Sequence, residues 1–88
     1  MENIDYKIAL LEVISMIKDK ATYLKMIDVN DETVYNPQLF EGMALAYHFV
    51  MDGIKSHIEC SNMDLADFGL EDYDPSEILS YKPLNYEG

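Results

Sequence analysis

Apolar residues recur at helical spacing through two long stretches of the chain. Between Asp5 and Ile27, the residues Tyr6, Leu10, Val13, Ile17, Ala21 and Leu24 follow at intervals of three or four with no Gly or Pro between them. That pattern predicts an amphipathic helix over about residues 5–27. At 100° per residue, Asp5, Glu12 and Asp19 fall on one flank of the helix, and Lys7, Lys18 and Lys25 fall on the other. Both edges read as solvated faces whose ion pairs are weak.

The second stretch opens at Asn36-Pro37, where Asn caps free amides and Pro fits the first helical position. From there to about residue 60, the stripe Phe40, Met43, Tyr47, Val50, Ile54 and Ile58 keeps the helical period. The opposite face carries Glu41, His48, Asp52, Lys55 and Glu59, with His48 expected at the surface beside Asp52. A second apolar strip, Gly42, Ala46, Phe49, Gly53 and Cys60, lies next to the first. Each interior glycine costs the helix about 1 kcal/mol relative to Ala. A compensating close approach by another backbone is therefore expected at Gly42, Ala46, Phe49 and Gly53.

Residues 28–35 form a polar connector, read as a loop, with a small hairpin as its competitor. Asp28, Asn30 and Glu32 begin like a calcium loop, but Thr33 stands where the turn needs Gly and Leu39 where the bidentate Glu belongs. Past residue 60, Ser61 or Asn62 is expected to cap a short helical segment ending at Gly69. Asp74-Pro75-Ser76-Glu77 predicts a second one, from Pro75 to about Tyr81, stopped by Pro83. Leu65, Phe68, Leu70, Ile78, Leu79 and Leu84 are available to cover the two long helices. The expected fold is all-α: a long antiparallel helix hairpin (about 5–27 and 36–60) closed by two short C-terminal helices. Residues 1–84 form one domain and residues 85–88 a frayed end. Two such hairpins dimerising through the second strip would make a four-helix bundle.

Charge narrows the class of partner. The 88 residues hold six lysines, no arginine and 17 carboxylates, a formal charge of −11. Residues 1–27 balance four acids with four lysines, whereas residues 28–60 carry −5 and residues 61–88 carry −6. A field of that sign repels phosphate backbones and anionic membranes and draws in basic surfaces. Direct nucleic-acid or membrane binding is accordingly not expected. No apolar run approaches a membrane span, and the N-terminus lacks the basic start and cleavage site of a signal peptide. Cys60 stands alone, so no internal disulfide forms, and a reducing, cytoplasmic setting is expected.

Catalytic constellations are thin. Cys60 and His57 are three apart, but the local negative charge raises a thiol's pKa and blunts it. His48 and Asp52 would supply two zinc ligands where a site needs at least three, and His57 and Cys60 fall elsewhere around the helix. Neither an enzyme nor a metal or other cofactor is expected. The acidic, tyrosine-bearing last third remains. Tyr73 and Tyr81 sit among Asp67, Glu71, Asp72, Asp74 and Glu77, a mixture of rigid contact area and steering charge suited to a basic protein partner. In size, acidity and helical content the chain is similar to small bacterial immunity and phage-encoded inhibitor proteins, without a shared residue motif. The alternative is a structural or regulatory homodimer whose acidity serves only solubility.

Overall fold

The computed structural model describes residues 3–87, with side chains from Asp5 onward; Met1, Glu2 and Gly88, at the ends of the expected domain and frayed tail, lie outside the described residues. The described chain is mostly helical (67%) and contains no strand. Helix α1 spans Asn3–Tyr23 and runs on into a 3-10 turn, Leu24–Met26. Helix α2 spans Pro37–Cys60, and Asn36 caps it by accepting from the amides of Gln38 (2.9 Å) and Leu39 (3.1 Å). Asp52-Gly53 does not break α2. The two C-terminal segments wind more tightly than α-helices: Leu65–Phe68 and Pro75–Ser80 are both 3-10 helical. Asp64, rather than Ser61 or Asn62, caps the first, and Gly69 ends it at φ 69°, a left-handed conformation that Gly adopts without strain.

The connector is a loop, as its polar composition implies. Asp28 and Asp31 fold it locally by accepting from the amides of Asn30 (2.9 Å) and Thr33 (3.1 Å). Val29 does not pair within a hairpin; it donates to the carbonyl of Leu84 at 3.1 Å, while Leu84 donates to Ile27 at 2.7 Å. One parallel bridge, Asp28 to Leu84, thus ties the C-terminal end to the end of α1.

The helices α1 and α2 run antiparallel, with the Tyr6 hydroxyl 2.9 Å from His57 Nε2 where the start of one meets the end of the other. They touch each other lightly, and α2 packs mainly against the Pro75–Ser80 helix. The C-terminal segment therefore fills one side of the helix pair, and Phe68, Leu70 and Ile78 from it join Ile14, Ala21, Leu24, Ile27, Phe40, Ala44, Met51 and Ile58 in the core. Two expected core positions are corrected. Val13 and Val50 are half-exposed (42% and 45%), and Ile14 and Met51 are buried in their place. Most of the rest of each stripe faces the core as expected: Ala21, Leu24, Phe40 and Ile58 are buried, and Leu10, Ile17, Met43, Tyr47 and Ile54 pack against them. Leu79 and Leu84 are also largely exposed, so the cover over the helix pair is made by Phe68, Leu70 and Ile78.

Candidate partner-binding surface

The acidic residues singled out in the last third all sit on one strap, residues 64–84, which lies along α1 in the same direction. Lysines line its path. Lys7 stands 3.5 Å from the Asp67 carboxylate and 5.9 Å from the Phe68 ring centre. Eleven residues on, Lys18 donates to the Gly69 carbonyl at 3.1 Å and lies 4.8 Å from the Tyr73 ring centre. Seven further, Lys25 lies 4.1 Å from the Tyr81 ring centre. Spacings of eleven and seven keep the three lysines on one line down the helix. The strap presents its aromatic rings to them in chain order. From the other side, Lys55 of α2 donates to the Tyr73 carbonyl at 2.8 Å. The basic edge of the helix thus lies beside the strap, whose buried Phe68, Leu70 and Ile78 join the core. The available signal was the in-line spacing of the lysines set against three aromatics, Phe68, Tyr73 and Tyr81.

The strap's acidic residues divide into two groups. Asp67 is committed to Lys7 in the one ion pair among the described residues. Asp74 caps the Pro75–Ser80 helix, accepting from the Ser76 hydroxyl (2.7 Å) and amide (3.0 Å). Those bonds, the hydroxyl first, hold its carboxyl below the ordinary carboxylate range, with Lys55 and His48 adding a smaller pull in the same direction. Glu71, Asp72 and Glu77 are exposed and have neither hydrogen bond nor ion pair from their carboxylates among the described residues. Glu71 and Asp72 line a shallow, open depression of about 410 Å³ with Ala66, Gly69 and Tyr73.

The two tyrosines are half-buried and packed against the core, each with a lysine over one face of its ring. Burial pushes the Tyr73 phenol up, and the nearby Tyr81 and Glu77 push it further. Glu77 and Tyr81 therefore lie near Tyr73, Glu71 and Asp72 share the depression beside it, and Asp67 stands apart against Lys7.

The other singled-out residues fall elsewhere. Gly42, Ala46, Phe49, Gly53 and Cys60 are all exposed on α2, away from the strap. His48 does not pair with Asp52 at the surface as expected. Its ring is half-buried beside Phe49 (5.3 Å between ring centres), and its Nδ1 is buried without a partner. His57 is bonded to Tyr6. Among the described residues no three His, Cys, Asp or Glu side chains converge as metal ligands would. No described helix is long and apolar enough to cross a membrane.

No protein-family model matches this chain, and neither the curated proteins nor the solved structures include a significant match.

Proposed function

We propose that this chain is a non-enzymatic acidic binding protein that occupies a basic surface on another protein. It acts in the cytoplasm as an inhibitor, an antitoxin or immunity protein, or a nucleic-acid mimic. The observation that supports this reading is the unequal use of charge. Lys7, Lys18, Lys25 and Lys55 are all turned onto the strap, whereas Glu71, Asp72 and Glu77 on its outer side are left unpaired among the described residues. Carboxylates left free in this way attract a cationic surface over about 8–10 Å at physiological salt and accept Arg or Lys on contact. The depression between Glu71, Asp72 and Tyr73 is open to solvent and is suited to receive one such side chain. Asp67 and Asp74, already engaged inside the chain, contribute field more than contact. Tyr73 and Tyr81 offer only what their lysine-covered rings leave exposed.

The test is capture from the host cell's lysate on the immobilised protein, eluted with a salt gradient and identified by mass spectrometry. The reading expects one basic protein, released at high salt in stoichiometric yield. Recovery of no basic protein rejects it.

A further inference from the structure

The strap covers one side of the α1–α2 pair, and the opposite side is open. The Tyr6–His57 bond sets the register across the pair. At equal rise per residue, Val13, seven residues past Tyr6, stands level with Val50, seven before His57. Both are half-exposed, and the helical period turns both away from the strap. Ala9 and Met16 share that side on α1. Leu39, Gly42, Ala46, Phe49 and Gly53 share it on α2, with Phe49 63% exposed. Lys20 is the charged side chain on this surface. The carboxylates of Asp5, Glu12 and Asp19 border it along α1, and those of Glu41, Asp52 and Glu59 along α2. In a chain of charge −11, an apolar centre with an acidic rim has the anatomy of a protein interface.

We infer that the occupant of this surface is a second copy of the chain, packed face to face in a two-fold four-helix bundle with the two straps on the outside. Three observations select that occupant. The chain exposes 6118 Å², whereas a monomeric globular protein of its 10.1 kDa mass is expected to expose about 5,300 Å². The excess, roughly 800 Å², is what each partner buries in a standard-size interface. Second, the radius of gyration is 15.1 Å with extents of 47 × 20 × 17 Å, against about 12 Å for a compact chain of this length. The molecule is elongated, which leaves one long side of the helix pair open to a partner of the same length. Third, the centre of the face is apolar, and the surface that matches it is another apolar one, which this chain itself supplies. Nothing lies within 4 Å of a side chain built at Gly42 or Gly53. Nothing among the described residues makes the close approach those glycines permit, so both stay open to a second copy.

Sedimentation velocity of the full chain across the micromolar range tests this. The wild type is expected to sediment at twice the 10.1 kDa chain mass. Added salt should tighten the dimer, because it screens the facing acidic rims. Ala46→Glu, an exposed substitution, should weaken association by about 100-fold or more by setting buried like charges against each other, with unchanged far-ultraviolet circular dichroism. Glu71→Lys on the strap should leave the dimer intact. A wild type monomeric throughout the range overturns the inference, as does an Ala46→Glu variant that keeps both its fold and its dimer. Partner capture through the strap uses other residues and weakens with salt, so either proposal fails independently of the other.

Discussion

Lys25 and Tyr81 are stacked, the ammonium nitrogen 4.1 Å from the ring centre, and the contact joins residues 56 positions apart. With Lys7 on Phe68 and Lys18 on Tyr73, it makes the long side of α1 a template for the strap. A lysine over an exposed aromatic face contributes about 0.5–1 kcal/mol. Lys25→Met, which keeps most of the aliphatic stem, should therefore destabilise the fold by roughly that amount. Lys18→Met should cost about 1 kcal/mol more, because it also removes the bond to the Gly69 carbonyl. Urea unfolding of both variants, with a Lys25→Met/Tyr81→Leu double-mutant cycle, checks this. A coupling energy of zero would mean that the stacking does not hold the strap.

The facing of α2 predicts an uneven pair of core substitutions. Met51 is fully buried and its neighbour Val50 is not. Measured in the Ala46→Glu background to remove self-association, Met51→Ala should cost about 2–5 kcal/mol of unfolding free energy. Val50→Ala should cost well under 1 kcal/mol, as for other surface substitutions. Equal costs would mean that Val50 shares the core with Met51.

Two carboxylates link stability to acid. The Asn30 amide first, then the Asn85 side chain, hold Asp28 below the ordinary 3.8, and Ser76 does the same for Asp74. A carboxyl lowered by folding contributes stability that is fully present above its unfolded pKa and is lost as pH falls through the folded one. The wild type should therefore lose stability below about pH 4. Asp74→Asn, which can still accept at the cap, should flatten that acid limb while changing stability little at pH 7. Parallel acid limbs in the two proteins would remove Asp74 from the account.

Much of this fold is legible in the sequence, and the misreadings have identifiable causes. Asn36-Pro37 marks the start of α2 through a capping bond that is purely local, and Gly69 and Asp74-Pro75 mark turns for the same reason. Facing was harder to read. Ile8, Leu11, Val13 and Met16 lie outside the buried stripe of α1, so apolar residues surround that helix and its period points to no single side. The route of the strap was hidden because lysine–aromatic contacts between residues 61, 55 and 56 positions apart leave no local trace. For the proposed acidic surface, composition pointed to the segment. Geometry was needed to separate the committed Asp67 and Asp74 from the free Glu71, Asp72 and Glu77.

That separation yields the most direct test. With the captured basic protein purified, its affinity is measured by calorimetry over a salt series for the wild type and for Glu71→Lys/Asp72→Lys/Glu77→Lys. This variant spares the ion pair and the cap and should keep the wild-type circular dichroism. The account predicts an affinity lower by about 100-fold or more and a flatter dependence of log Kd on log salt. An unchanged affinity and salt slope would contradict it, because the free carboxylates of the strap would then have no part in binding.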